Sequence, residues 1–292
     1  MKVLITGGSG MLGHKLVQRL SSDFDVFATI RGSFDAVERF SIFDRQSVVE
    51  NVDLSDEIQI RAAVECVKPD VVINAAGVIK QRPTSQDVVN TLLINSILPH
   101  RLAALSREYG FRTIVISTDC VFSGTKGRYS ESDPADADDL YGKSKNLGEV
   151  IDPNCLTIRT SIIGRELQTG HSLVEWFLSN RGGKVKGFTR AIYSGFPTIV
   201  FADIISNLLT AYPKLSGLYH VSSEPIDKFT LLSLVNNVYN AGIKIEPDDS
   251  FVIDRSLRSS KFRNETGFQP QSWEEMIDQM ASDPTPYDSF NR

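Results

Sequence analysis

The 292-residue chain has few residues that would staple it from outside a hydrophobic core: three cysteines, four histidines and two tryptophans. Cys66, Cys120 and Cys155 are an odd, widely spaced set that makes neither a disulfide framework nor a zinc-ligand pattern. They read as small buried hydrophobes of a reducing compartment. The chain also lacks a positive excess. Its 31 Lys and Arg face 36 Asp and Glu, for a net charge of -5. That excludes a general nucleic-acid binder, which needs a basic surface to displace phosphate counterions, but leaves room for one small anion in a local pocket. No apolar run approaches the roughly 18 residues of a membrane span. The apolar stretch after Met1-Lys2 is too short for a signal-peptide core and reads as a first strand. The expectation is a cytoplasmic protein with no membrane partner. What remains is an ordinary globular composition, 41% hydrophobic and 23% charged. The length suits one large domain or two small ones with a core of their own.

Hydrophobic periodicity gives an alternation of strands and helices. Val3-Leu4-Ile5 ends in Thr6-Gly7-Gly8-Ser9-Gly10, and residues 11–20 place Leu12, Leu16, Val17 and Leu20 on one helical face. Asp25 to Ile30 is the next strand, residues 48–52 a weak third, Val71-Val72-Ile73 a fourth and Thr113 to Ile116 a fifth. Helices are expected over 56–67, capped by Ser55 or Asp53, and over 87–108. The β-branched fifth strand suits a central parallel position covered on both faces. Such an alternation implies right-handed crossovers and an α/β fold with a doubly wound parallel sheet. Ligands bind such sheets at the carboxyl ends of the strands. Thr6-Gly7, Asn74-Ala75-Ala76 and Ser117-Thr118 should therefore converge on one crevice. Beyond residue 160 the pattern loosens into a smaller mixed α/β lobe. Its strands are expected at 218–222 and 250–253, its helices at 201–212 and 229–241, and its tail from Asp283 is expected to be loosely ordered.

Gly7, Gly10 and Gly13 sit between the first strand and the first helix. A tight turn needs positive φ, and missing side chains let backbone N–H groups approach a pyrophosphate at the positive end of the helix. A cofactor with a free ribose 2′-hydroxyl is usually met by a carboxylate at the end of the second strand. Here Thr29-Ile30-Arg31-Gly32-Ser33 has none, and Arg31 can pair with a 2′-phosphate, which favours NADP (NADPH) while leaving NAD open. Asp53 either accepts from the adenine amino group or caps the next helix.

Tyr141-Gly-Lys-Ser-Lys145 puts a tyrosine and a lysine at i and i+4, on one face of a helix over 140–150. A nearby ammonium stabilises a phenolate and lowers its pKa from near 10. Tyr141 can then protonate a carbonyl oxygen as a hydride reaches the carbon. Ser117 and Thr118 end the neighbouring strand, where a hydroxyl can bond the same oxygen.

On these residues the chain resembles an extended short-chain dehydrogenase/reductase. The matching features are Thr6-Gly7-Gly8-Ser9-Gly10-Met11-Leu12-Gly13, Asn74-Ala75-Ala76-Gly77, Ser117-Thr118-Asp119 and Tyr141-Gly-Lys-Ser-Lys145. Ser117 to Gly124, Tyr129 to Pro134, Arg159 to Gly164 and Gly195 to Thr198 resemble the dTDP-4-dehydrorhamnose reductase branch. The resemblance implies a Rossmann domain over 1–163, completed by part of 190–222, and a substrate lobe over 164–292. It implies a catalytic set of Thr118, Tyr141 and Lys145. The implied cofactor set is Gly7, Gly10, Met11, Leu12, Gly13, Arg31, Asp53, Leu54, Asn74, Ala75 and Ala76, joined by Tyr141 and Lys145, with Lys145 on the nicotinamide ribose. Asn95 would lie beneath the site, where Pro99 cannot donate to its carbonyl. That carbonyl either holds a water for proton relay or marks a kink relieved by solvent. Cys120 stands where this branch usually carries Tyr, and Asp136-Ala-Asp-Asp139 replaces its Pro-x-Asn. Nor does a Glu follow Asp119 as in the 4,6-dehydratases.

The implied activity is NADPH-dependent reduction of the C4 keto group of a nucleotide-linked 4-keto-6-deoxy sugar, for a cell-surface polysaccharide. Alternatives are an epimerase or dehydratase of the same superfamily, or a non-catalytic NADP-binding regulatory subunit like that of methionine adenosyltransferase; a homodimer is left open. Two phosphates and a base need cations and an aromatic surface. Substrate contacts are expected from Lys80, Thr118, Asp119 and Trp176, with Arg82, Arg165, Lys184, Lys186, Arg190, Arg258 and Tyr193 as further candidates. His171 has no partner at metal-ligand spacing, so no metal is expected.

Overall fold

The computed structural model describes residues 1–79 and 87–290. Its strands are β1 (Lys2–Thr6), β2 (Asp25–Thr29), β3 (Val48–Val49), β4 (Val71–Asn74), β5 (Arg112–Thr118), β6 (Cys155–Thr160), β7 (Ile162–Ile163), β8 (Lys184–Phe188), β9 (Ala191–Tyr193), β10 (Phe196–Pro197), β11 (Gly217–His220), β12 (Ile226–Asp227), β13 (Lys244–Asp248) and β14 (Ile253–Asp254). The α-helices are α1 (Gly13–Leu20), α2 (Asp35–Glu38), α3 (Glu57–Val67), α4 (Val88–Leu92), α5 (Leu98–Tyr109), α6 (Leu140–Leu147), α7 (Leu173–Leu178), α8 (Thr198–Thr210), α9 (Lys228–Val238), α10 (Ser260–Thr266), α11 (Trp273–Ala281) and α12 (Tyr287–Phe290).

The chain divides into two compact units whose segments alternate along the sequence. One comprises Met1–Ser117, Asp139–Ile158 and Ala202–Leu218; the other comprises Thr118–Asp138, Arg159–Phe201 and Tyr219–Arg292. The first is built on a seven-stranded sheet of order β11-β6-β5-β4-β1-β2-β3. The pairs β1–β2, β1–β4, β2–β3 and β4–β5 are parallel. The expected doubly wound sheet is therefore present, and its order reverses between β1 and β4. There Thr6 pairs with Asn74, and Thr6 Oγ1 donates to Asn74 Oδ1 over 2.8 Å. The crevice outside a reversal point is where this architecture binds ligands. All but the first residue of β5 is fully buried, as a β-branched strand sandwiched by helices should be. On one face Leu4 and Val72 pack against Ile60, Val64 and Val67 of α3 and Leu98, Leu102 and Leu105 of α5.

Several local expectations are corrected. Asp56, not Ser55 or Asp53, caps α3, through a bond from Ile58 N of 2.8 Å. The third strand shrinks to two residues. The helix expected over 87–108 is interrupted between α4 and α5 by a wider π-turn, Leu93–Ile97, where Leu98 N–H donates five residues back to Leu93 O. Such bulges accommodate a proline that withholds a donor. The two helices and the π-turn between them together make a continuous helical stretch over Val88–Tyr109, 22 residues with an apolar window of mean hydropathy 1.2. It is, among the described residues, long and apolar enough to cross a membrane, against the expectation of no such segment, although half of that window is buried inside the protein. Its apolar residues are interspersed with polar ones, which is why no continuous run marks it.

The second unit has a three-stranded sheet of order β12-β9-β14 and the parallel pair β8–β13. Val121, Phe122, Tyr129 and Leu257 form a core cluster, with the Phe122 and Tyr129 rings stacked at 4.1 Å. The tail is ordered from Asp283 to Phe290, contrary to expectation. Tyr287 is buried, and Asp288 pairs with Arg165 at 2.6 Å.

Candidate active site

The glycine turn is shaped by two different constraints. Gly7 has φ +75°, which a β-carbon makes unfavourable. Gly13 has ordinary φ but no room, since a β-carbon there would lie 2.1 Å from Gly7 O. Positive φ is thus needed at Gly7 and not at Gly10 or Gly13. Gly10 N donates to Gly7 O over 3.0 Å, and the His14 ring bonds Gly10 O at 2.8 Å, which fixes the turn. Leu12 occupies the N-cap of α1, so the helix has no side-chain cap, and its first turn has no acidic residue. Met11 belongs to the turn itself. The uncapped N–H groups and the positive helix end are the donor set a diphosphate requires, so these residues fit a dinucleotide cofactor.

Asn74 Oδ1 also accepts from Ala76 N over 3.3 Å, while its Nδ2 is buried without a partner. The methyl group of Ala76 lies 3.1 Å from where a β-carbon on Gly7 would stand. Arg31 is exposed after β2. Its charge reaches Asp53, whose carboxyl is held below its usual range mainly by hydrogen bonds from Ser55. Oδ1 of Asp53 accepts from Ser55 N (2.9 Å) and Oγ (2.8 Å). Asp53 thus closes a local turn instead of capping α3, and Leu54 packs beside it against the core.

Helix α6 presents Tyr141 and Lys145 one turn apart, as the spacing predicts. Asp139 caps it by accepting from Gly142 N over 2.8 Å. Tyr141 is half-buried and Lys145 buried. Lys145 Nζ donates to Ile116 O of β5 over 2.7 Å. Burial pushes its pKa down from 10.5 to about 8, against the opposing pull of Glu149. Glu149 in turn accepts from Ser117 Oγ over 2.7 Å, so Ser117 is engaged with a carboxylate. Thr118 ends β5 and begins the second unit. Its Oγ1 accepts from Cys120 N over 3.2 Å and caps the short turn Asp119–Val121.

Asn95 fastens α6 from below. Its Oδ1 accepts from Val78 N (2.8 Å), and its Nδ2 donates to Val78 O (3.0 Å) and Ser144 Oγ (3.1 Å). Ser144 Oγ donates to Tyr141 O (2.9 Å), and Ser96 Oγ to Ser144 O (2.8 Å). The Asn95 carbonyl that Pro99 leaves without a donor is covered by Gly148, where a β-carbon would stand only 1.9 Å from it. A backbone contact, not solvent, thus meets that carbonyl. Gly148→Ala must push α6 off the π-turn. It is expected to destabilise the protein by about 1–3 kcal/mol, as read by thermal unfolding.

Other expected substrate contacts fare differently. Lys80 and Arg82 lie outside the described residues. Trp176 is 43% exposed and available as a surface ring. Arg165 is committed within the protein, buried between Glu175 (2.5 Å) and Asp288 (2.6 Å) and under the Tyr287 ring. Lys184 pairs with Glu246 (2.7 Å) and Lys186 with Asp248 (2.8 Å) across β8 and β13. Tyr193 is buried and offers no surface for stacking. Arg190 and Arg258 are exposed. No group of metal-ligating side chains is found among the described residues.

Comparison with known proteins shows the family. The spore coat polysaccharide biosynthesis protein SpsK of Bacillus subtilis is 27% identical over 94% of this chain and 95% of its own. A solved structure of a hypothetical dTDP-4-dehydrorhamnose reductase from Sulfolobus tokodaii is 27% identical. It superposes with a TM-score of 0.78 over 94% of this chain and 98% of its own. The dTDP-4-dehydrorhamnose reductase of Bacillus anthracis, solved in complex with NADP, shares the fold at 22% identity and TM-score 0.78, covering 96% and 98% of the two chains. The RmlD substrate binding domain model matches residues 1–285, and the chain belongs to that family.

Proposed function

We propose that this protein is an NADPH-dependent reductase of the C4 keto group of a nucleotide-linked 4-keto-6-deoxy sugar, acting in the cytoplasm in deoxysugar supply for a polysaccharide. The observation that carries the reading is α6, which sets a half-buried tyrosine one turn from a buried lysine on a helix bolted down by Asn95 and Ser96. Names of family relatives support the substrate class.

The residues that would hold the cofactor are those of the glycine turn, with Arg31 and Asp53 toward the adenosine and Lys145 toward the nicotinamide ribose. When bound, the reduced nicotinamide supplies a hydride. Tyr141 gives its phenolic proton to the C4 oxygen, and the Lys145 ammonium stabilises the phenolate left behind. The Thr118 hydroxyl, on giving up its bond to Asp119 Oδ1, donates to the same oxygen and orients the carbonyl.

The reading is tested by mixing protein, NADPH and dTDP-4-keto-6-deoxy sugars and following NADPH absorbance. Net consumption is expected. An epimerase or a dehydratase recycles its cofactor and would show none, and a regulatory subunit would bind NADPH without turnover. Cofactor choice has its own test. Arg31→Ala should reduce the preference for NADPH over NADH by roughly 10- to 150-fold, the worth of one charge-assisted contact, measured as the ratio of kcat/KM values. An unchanged ratio would remove Arg31 from phosphate recognition.

A further inference from the structure

The turn after Thr118 is enclosed, within the second unit, by side chains that neither the glycine turn nor α6 uses. Asp119 is buried, and its Oδ1 accepts from Thr118 Oγ1 over 3.2 Å. Burial raises its pKa, while the charges of Arg255 and Lys228 oppose the rise. Arg255 follows β14. Its Nε donates to Phe122 O over 2.8 Å, and its Nη1 lies 3.7 Å from Cys120 Sγ, so it fastens the turn in place. Tyr193, at the end of β9, lies beneath Lys228, whose Nζ is 4.5 Å from the ring centroid.

Lys228 stands where a lysine is unfavourable on three counts. It is the first residue of the eleven-residue α9, directly after the N-cap Asp227, where the helix dipole repels a cation. Its side chain is half-buried, and that burial depresses its pKa against the pull of Asp119 and Cys120. Among the described residues nothing accepts a hydrogen bond from Nζ, although an ammonium carries three donors. The Asp227 carboxylate is turned to Thr230, with bonds of 2.9 and 2.6 Å. The Tyr193 face and the Asp119 charge offset part of the cost and hold the ammonium in one place, where its donors are open to an acceptor from outside the chain.

We propose that Lys228 determines substrate specificity: its ammonium, held on the Tyr193 ring and facing Asp119, donates hydrogen bonds to an oxygen substituent of the substrate's sugar ring. This rests on the reductase reading. Asp119 is bonded to Thr118, the hydroxyl that meets the reacting carbonyl in that reading. The recognised oxygen therefore belongs to the sugar and not to the diphosphate or the base. A ring hydroxyl near the keto carbon is the group that fits.

The test compares wild type and Lys228→Met on a 4-keto nucleotide sugar and on its analogue lacking one ring hydroxyl. NADPH affinity and thermal unfolding are followed in parallel. Lys228→Met should lower kcat/KM on the hydroxylated substrate roughly 10- to 150-fold, mainly through KM, with NADPH affinity and the unfolding midpoint retained. Wild type should lose a similar factor on the analogue, and the variant should barely distinguish the two. Lys228→Arg should recover part of the loss. Equal kcat/KM for wild type and Lys228→Met, or a variant that loses NADPH affinity or folding together with activity, overturns the proposal. If wild type consumes no NADPH with any sugar, the reductase reading fails by itself. Calorimetric binding of the nucleotide sugar then decides on Lys228: weaker binding to Lys228→Met supports the contact, and equal or absent binding by both proteins overturns it.

Discussion

Tyr141→Phe is expected to lower kcat/KM for the keto sugar by about 10²–10⁴, the usual worth of a positioned proton donor. The substitution removes one hydroxyl and keeps the ring. Helix α6 is fastened through Ser144 to Asn95 and Ser96 and through its Asp139 cap, so its position does not depend on that hydroxyl. NADPH binding, followed by quenching of protein fluorescence, should change little, and so should the midpoint of thermal unfolding. The loss should fall mainly on kcat, because the proton is delivered only as the carbonyl is reduced. A variant that keeps the wild-type rate would show that the proton comes from another group.

Lys145→Met is expected to abolish a comparable factor of activity while leaving the protein about as stable at neutral pH. Two effects oppose each other. Burial has pushed the lysine from 10.5 to about 8, which at about 1.4 kcal/mol per unit means that holding it charged costs the folded state about 3 kcal/mol. Removing the amine relieves that cost but strips Ile116 O of its 2.7 Å donor, a loss of about 1–3 kcal/mol. The pH dependence separates these contributions. Below pH 8 both folded and unfolded chains hold the proton and the full cost is present. Between about 8 and 10.5 the unfolded chain binds more protons than the folded one, so stability rises with pH; above 10.5 the cost is gone. Urea midpoints from pH 7 to 10.5 should show this rise in wild type relative to Lys145→Met. Parallel curves would mean that the ammonium is not held against a desolvation cost.

The parts of the fold legible in the sequence are those written in contiguous residues. Strands β1, β4 and β5 are short apolar runs that end directly in the glycine turn, in Asn74 and in Thr118. The Tyr141–Lys145 spacing fixed a shared helical face because helix geometry alone decides it. Capping was harder, because Asp53, Ser55 and Asp56 all precede α3 and differ only in which backbone N–H they face. The ion-paired cations are the clearest case of what local sequence cannot show. Arg165 is neutralised in part by Asp288, 123 residues away. Lys184 and Lys186 meet Glu246 and Asp248 through the β8–β13 pairing, which no pattern near residue 184 announces. Lys228 carries no local signal, for the converse reason. Its neighbours Asp227 and Thr230 read as an ordinary helix start, and only the folded chain brings it onto Tyr193 and toward Asp119.

The central claim, that a hydride goes to the sugar while Tyr141 protonates the oxygen, is tested most directly by a single turnover with NADPH deuterated at nicotinamide C4, on the face that is transferred. The product sugar, examined by NMR and mass spectrometry, should carry one deuterium at its own C4, with one NADP+ formed per molecule reduced. A product without deuterium, or sugar conversion with no oxidised cofactor, would contradict the account.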